Sequence, residues 1–332
     1  MKPIPTLILA VLAAFVSSPL LAFDLQGHRR ARGLMPENTL PAFAKALSIG
    51  VTTLVLDVGV SQDGIVVVGH DPRLSAALTR GDDGKWIAAP GSVLRALTYA
   101  RIAAYDVGRI DPNYRYAKRF PTQTPVDDTA MPTLAAVFEL AVKARSDAVR
   151  FNVETKLHPG QPDLTLAPGP FAGAVVAVLR KAGVADRTAL QSFDWRTLRH
   201  VQKTAPDIPT VYLTAQQRWL DNIAKGKPGP SPWTPGLDVD DHGGSVPRLV
   251  KAAGGAVWSP FHREVDKAQV DEAHSLGLQV VVWTVNDAPT MEALIDIGVD
   301  GIISDYPDRL RQVMAKRGMA LPPATPVEPR WN

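Results

Sequence analysis

Residues 26–43, QGHRRARGLMPENTLPAF, and residues 54–74, LVLDVGVSQDGIVVVGHDPRL, decide how this chain is read. Each joins an apolar, β-prone run to polar groups able to handle a phosphate. His28 and Arg29 follow the first run, Asp57 sits in the second, and His70 with Asp71 closes a third. Phosphoryl transfer needs a proton donor or acceptor, fixed positive charge and usually a metal. The two segments together offer all three.

Outward from these segments, β-type runs alternate with amphipathic ones. Strands are expected at Asp24–Gly27, Thr53–Val58, Val149–Glu154, Ala189–Phe193, Thr210–Leu213, Ala256–Pro260, Gln279–Val285 and Gly301–Ser304. Helices are expected at Leu40–Ser48, Leu134–Ala144, Phe171–Ala182, Arg196–Thr204, Val246–Ala253, Lys267–Leu276, Ala288–Ile297 and Pro307–Arg317. Thr133, Asp194 and Asn286-Asp287 stand where helix N-caps belong. Eight alternations fit an α/β fold, a closed (β/α)8 TIM-type barrel, with a doubly wound open sheet as competitor. The polar residues favour the barrel. His28, Asp57, Glu154, Gln191 and Trp283-Thr284 fall at or near the C-terminal ends of different strands, which in a barrel converge on one mouth.

The alternation breaks once, after the second strand. Residues 73–130 contain GDDGKW and several aromatics (Tyr99, Tyr105, Tyr114, Tyr116, Phe120), too long a stretch for a featureless loop. Val66–His70 is expected to pair back on the second strand, with the remainder a small insertion over the mouth. A Pro-, Gly- and Trp-rich segment, 216–244, reads as a second mouth loop or as a linker.

At 332 residues, 45% hydrophobic and 21% charged, the chain has the balance of a globular protein. Its net charge of +3 comes from scattered rather than striped basic residues, which gives no nucleic-acid-binding face. The N-terminus has Lys2, an apolar run Thr6–Val16, the break Ser17-Ser18-Pro19 and Ala22 before Phe23. That is the layout of a secretory signal peptide over residues 1–22, with an uncleaved anchor as the competing reading. The expectation is a periplasmic or secreted protein without a stable membrane span in its mature part. The barrel would then cover 23–318 and a short tail 319–332. With no Cys in the chain, disulfides and thiolate metal sites are excluded.

Among the chemical candidates, His28, His70 and Arg29 can supply a general acid, a general base and an anion clamp. Asp57 shares a strand face with Val55, and Glu154 with Asn152. If those faces point inward, the two carboxylates meet near the top with Lys156 above them, a hard-oxygen pair suited to calcium or magnesium. Pairing of the same carboxylates with Lys156 or Arg29 is the structural alternative. Glu37, in PENT, reads first as part of a helix start capped by Asn38 or Thr39, and second as a partner of Arg29 or a metal. Phe193 and Trp283 are expected to wall a pocket, and GVDGIISDYP (298–307) to be architectural.

Taken in order, HRR and PENT, LDV, DG and HD, then MPTL, ETK, QSF, WTVN and GVDGIISDYP resemble the glycerophosphodiester phosphodiesterase family over roughly Phe23 to Leu310. The resemblance implies a (β/α)8 barrel with an insertion after its second strand. It also implies hydrolysis of a small-molecule glycerophosphodiester to glycerol 3-phosphate and an alcohol, generally with a divalent metal. It assigns His28 and His70 as the acid/base pair, Arg29 and Lys156 as phosphate contacts, Asp57 and Glu154 as metal ligands, and Glu37 to the polar network. Gln191, Phe193 and Trp283 fall with the substrate contacts.

Two departures stand out. The family's second strand normally reads Glu-x-Asp, and the Glu position here is Val55; Arg30 stands where Gly is common. An apolar side chain cannot ligate Ca2+ or Mg2+, so weak metal binding and depressed activity are expected. Two competing functions follow: a non-catalytic phosphodiester or head-group binder on the same barrel, and a metal-independent, two-histidine phospholipase-like enzyme that forms a cyclic phosphate.

Overall fold

The computed structural model describes residues 22–328. The expected signal peptide therefore lies outside the described residues except for Ala22. Eight parallel strands alternate with eight helices. The strands are β1 (Asp24–Gly27), β2 (Thr53–Val60), β3 (Arg150–Thr155), β4 (Thr188–Ser192), β5 (Thr210–Thr214), β6 (Val257–Pro260), β7 (Gln279–Val282) and β8 (Gly301–Ser304). Between and after them run α1 (Leu40–Ile49), α2 (Leu134–Lys143), α3 (Pro168–Ala182), α4 (Trp195–Thr204), α5 (Val246–Ala252), α6 (Lys267–Ser275), α7 (Ala288–Asp296) and α8 (Pro307–Lys316). Each strand pairs with its neighbour, and β1 pairs with both β8 and β2. The sheet closes. The open-sheet alternative is excluded.

The two faces of β2 go to different places, as a period of two requires. Leu54, Leu56 and Val58 join the large core between strands and helices, which also takes Phe43, Leu47, Phe138 and Phe171. Val55 instead packs inside the barrel with Val281 and Ile303. In register, Asp57 lies beside Glu154, and Glu154 beside Gln191, so three polar residues occupy one interior layer. Beneath it, Asn152 donates to Gln26 and Gln191 at 3.2 and 2.8 Å.

Helix starts follow the side-chain chemistry. Thr133, Asp194 and Asp287 accept from Ala136, Arg196 and Thr290 backbone N–H groups. Of the two candidates ahead of α1, Thr39 is the cap, accepting from Ala42 N–H. α3 begins three residues before its expected start, because Pro168 and Pro170 fit a first turn whose N–H groups have no helical partner. Residues 162–182 are apolar and long enough to cross a membrane. Here Phe171, Ala172, Val175 and Leu179 of α3 are instead buried in the core around the barrel. β7 stops at Val282, short of the expected Val285; Trp283 continues only as a bridge to Phe261.

Residues 66–68 pair antiparallel with β2. The segment after them carries a five-residue helix, Tyr99–Ala103. Leu74, Leu94 and Ile102 bury against Val67 in a small core of their own. The segment 216–244 forms a two-residue-stranded hairpin, Gln216-Gln217 with Leu220-Asp221. Its Trp219 and Trp233 reach the barrel mouth, which favours the mouth-loop reading over the linker.

Candidate active site

The chain leaves β1 through a tight turn in which Arg29, Arg30 and Ala31 all have positive φ, at 43°, 65° and 81°. Non-glycine residues held there cost of order 1–3 kcal/mol each, a strain typical of functional sites. The φ of Arg30 is the reason glycine suits that position. Arg30 is fully buried, with its guanidinium 3.8 Å over the Phe43 ring and donating to Asn38 Oδ1 at 2.8 Å. The turn aims His28 and Arg29 into a cavity of about 1000 Å3 at the C-terminal mouth.

Nine of the ten residues singled out from sequence line this cavity: His28, Arg29, Glu37, His70, Glu154, Lys156, Gln191, Phe193 and Trp283. Asp57 is itself nearly fully buried, with Arg29 Nε and Lys156 Nζ each 3.6 Å from one of its oxygens. Lys156 also bonds Glu154 at 2.6 Å, and Arg29 bonds Glu37 at 2.6 Å. Glu37 is thus a site residue rather than part of the cap, and its second oxygen accepts from Tyr116 OH of the inserted segment.

The histidines are built alike. His28 Nδ1 lies 2.7 Å from Asp305 Oδ1, and His70 Nδ1 lies 2.7 Å from Asp71 Oδ1. An ionised carboxylate there fixes the Nδ1–H tautomer and leaves each Nε2 free. Burial, with the nearby charge of Arg32, lowers His28 to about 4. Burial, with Arg29 and Lys156, lowers His70 to about 4. Both are neutral at pH 7. Burial opposes ionisation of Asp57, but Lys156, His70 and Arg29 outweigh it and hold Asp57 far below the carboxylate range. Glu154 is pushed up to about 7 by burial and by Asp57 beside it, against the pull of Lys156.

Asp305 corrects the architectural reading of GVDGIISDYP. It sits just past β8 and accepts from Arg32 Nε at 2.6 Å and Asn286 Nδ2 at 2.8 Å as well as facing His28. Gly33 allows this approach: a Cβ there would lie 2.3 Å from the Tyr306 ring. Sequence spacing gave no sign of the pair, since 277 positions separate His28 from Asp305. Arg32, Asn286 and Tyr116 were missed for the same reason.

The donor set tests the expected metal. Asp57 Oδ2 is buried and has no hydrogen-bond partner, as expected of an oxygen meant for a cation, and its neighbour in register is Glu154. Among the described residues no three His, Cys, Asp or Glu side chains gather as a metal cluster. Val55, 2% exposed, packs with Val281 and Ile303 inside the barrel. The residues fit a divalent cation as a two-carboxylate cradle and no more.

A parallel α/β barrel with two carboxylate-backed imidazoles and four cationic side chains (Arg29, Arg32, Arg119 and Lys156) at its C-terminal mouth is a phosphodiester-handling enzyme in architecture and chemistry. The glycerophosphoryl diester phosphodiesterase family matches residues 28–309. The chain belongs to that family and is a phosphoric diester hydrolase by membership. It is 26% identical over 291 residues to a glycerophosphodiester phosphodiesterase of Caldanaerobacter subterraneus subsp. tengcongensis, covering 88% of this chain and 97% of the relative. A solved structure of a candidate family member from Silicibacter pomeroyi is 34% identical, with a TM-score of 0.80 over 92% of this chain and 96% of its own. The Oleispira antarctica phosphodiesterase, solved with sn-glycerol 3-phosphate, shares the fold at 22% identity and a TM-score of 0.63, over 87% of this chain and 96% of its own.

Proposed function

We propose that this protein hydrolyses glycerophosphodiesters to sn-glycerol 3-phosphate and an alcohol, with His28 and His70 as the acid/base pair. The observation that carries the reading is the shared cavity of two imidazoles, each tied at Nδ1 to a carboxylate, which Arg29 and Lys156 also line. Arg29 is pre-oriented by Glu37 and would clamp a phosphoryl oxygen, with Lys156 beside it. An anionic diester arriving between the histidines raises their pKa values and favours protonating one of them. The neutral imidazole takes a proton from the nucleophile, and the protonated one delivers a proton to the leaving alkoxide.

Asp57 and Glu154 would hold a divalent cation, Ca2+ or Mg2+, which would neutralise charge on the phosphoryl oxygens. Val55 leaves the cradle one carboxylate short, so weak binding and slow turnover are part of the proposal. The N-terminal 22 residues would export the protein, which N-terminal sequencing of secreted or periplasmic material would check. The direct test is release of sn-glycerol 3-phosphate from glycerophosphocholine, titrated with Ca2+ and Mg2+. Turnover that disappears in both His28→Ala and His70→Ala supports the reading; binding without turnover under every metal condition refutes it in favour of a head-group binder.

A further inference from the structure

The ends of β8, β1, β2 and β3 supply the charged side of the cavity, and those of β4 to β7 its rings, Phe193 and Trp283 among them. One residue lining the charged side belongs to no strand end. Tyr116 comes from the inserted segment, and its hydroxyl reaches two of the charged pairs at once. It donates to Glu37 Oε2 and accepts from Arg32 Nη1 at 3.2 Å. Behind Glu37 stands Arg29 at 2.6 Å; behind Arg32 stands Asp305 at 2.6 Å, itself 2.7 Å from His28 Nδ1. A single phenol thus joins the arginine proposed to clamp phosphate to one of the two imidazoles.

The inserted segment is fastened at the same place. Thr122 Oγ1 donates to Gly33 O at 3.0 Å, Gln123 Nε2 to Arg32 O at 2.7 Å and the Thr124 N–H to Leu34 O at 2.9 Å. All three acceptors lie in the connection between β1 and α1, which also carries Arg29 and Glu37. Phe120 is buried, edge-on to the Tyr116 ring at 5.2 Å and with the Arg32 guanidinium 5.0 Å from its centroid. One side chain therefore braces both phenol and cation. Burial and the charge of Glu37 push the phenol up, so it keeps its one proton for that carboxylate.

Glu37 needs this second partner. A carboxylate bonded to Arg29 alone turns with the guanidinium it is meant to hold. With Tyr116 on its other oxygen, Glu37 is fixed from outside the pair. Among the described residues its side chain makes no further hydrogen bond. Arg32, by contrast, has two bonds to Asp305 besides the one to the phenol, so the hydroxyl matters more to the Arg29 arm than to the His28 arm.

We propose that Tyr116 is a positioning residue for the phosphodiester site, and that setting its hydroxyl between Glu37 and Arg32 is what the inserted segment contributes to the reaction. This rests on the hydrolase reading of the same site. Tyr116 acts through Glu37 on Arg29, and through Arg32 and Asp305 on His28.

The test pairs Tyr116→Phe with Thr122→Val in the full chain. Each removes one hydroxyl from the same strap, and only the first hydroxyl touches Glu37 or Arg32. On glycerophosphocholine, Tyr116→Phe should lower kcat/KM by about 10–100-fold, the order of loss that a misplaced positioning group produces. Thr122→Val should stay within about twofold of wild type. A Tyr116→Phe enzyme within about twofold of wild type, or a loss as large in Thr122→Val, overturns the proposal and leaves the segment a strap for the fold. Calorimetric binding of sn-glycerol 3-phosphate reads the clamp without turnover, and Tyr116→Phe should bind it at least about fivefold more weakly than Thr122→Val does. If wild type does not turn over glycerophosphocholine, the hydrolase reading has failed, and this binding still decides the positioning role. Equal affinities in the two variants, or no binding to any form, overturn it.

Discussion

The charged and the aromatic halves of this barrel mouth are held together by different physics. On the charged side each side chain depends on one partner: His28 on Asp305 across the barrel closure, Arg29 on Glu37 in the same connecting segment, and Lys156 on Glu154 at the end of the same strand. Removing one member strands another in a low-dielectric site. On the aromatic side Phe193, Trp219, Phe261 and Trp283 share dispersion and burial among several neighbours, so the loss of one ring is spread. The first half is brittle and directional. The second is tolerant and sets fit.

The largest effect that comparison predicts is chemical. His28→Ala or His70→Ala should each lower kcat by about 10^2–10^4-fold, the range of general acid–base catalysis, with KM little changed. A single alanine on the aromatic half should change kcat/KM by about 10–200-fold at most, mainly through KM. Steady-state kinetics on glycerophosphocholine would break the division if ring and imidazole variants lost kcat alike.

Asp305→Asn comes next and separates positioning from chemistry. Asp305 touches no reacting atom; it fixes His28 and accepts from Arg32 and Asn286. The amide should lower kcat by more than about tenfold, since an orienting carboxylate sets the imidazole tautomer. The same variant has a stability signature. Burial works against ionisation of Asp305, but Arg32 and His28 outweigh it and hold its pKa far below the ordinary value. A depressed folded-state pKa stabilises the fold above the unfolded value, about 3.9, and that contribution is lost as pH falls through the folded one. Thermal melts should therefore show wild type and Asp305→Asn converging below about pH 3.9 and separating above it. A constant gap down to pH 2 would mean that Asp305 is not held as the structure has it.

The two halves were not equally legible. Barrel class and nearly every element could be read because they rest on local periodicity and caps, as at Thr133, Asp194 and Asp287. On the charged side the principal groups were visible because strand ends converge. Their partners were not: Asp305, Arg32 and Asn286 look like turn or helix-start residues until the barrel closes. Glu37 is the exception: its pairing with Arg29 was legible as a second reading of PENT, whose first reading as a helix start holds for Thr39 alone, the residue that does the capping. On the aromatic side Phe193 and Trp283 stood out, but Trp219 and Phe261 joined them only through a hairpin and a loop whose fold no pattern announced.

Val55 lies where charge would meet apolar packing, so Val55→Glu tests the border. A carboxylate there would lie one layer below Asp57 and Glu154, beside Asn152 in register and against Val281 and Ile303. Metal-free, the variant should melt lower, because an unpaired buried carboxylate costs about 1–3 kcal/mol or more. With Ca2+ its affinity should rise about 10–100-fold, and saturating metal should restore part of the melting temperature by mass action. Calorimetric titration and metal-dependent melts check both. A variant with unchanged Ca2+ affinity would mean that Asp57 and Glu154 do not form half of a metal cradle.

The smallest effect sits where the halves touch. Lys156 Nζ is 6.0 Å from the Phe193 ring centroid, at the outer limit for a cation–π contact. Phe193→Leu keeps an apolar side chain against Trp283 but removes the ring's negative face. At a partly exposed site such a contact is worth about 0.5–1 kcal/mol, so KM for glycerophosphocholine should rise about two- to fivefold while kcat stays level. The direction is informative because hydrophobicity alone predicts no change: leucine still lines the wall. A rise in KM that Phe193→Tyr does not reproduce would place ring charge, rather than ring volume, at the boundary. A fall in kcat instead would mean that Phe193 helps to position Lys156 on the phosphoryl group, extending the brittle half one residue into the tolerant one.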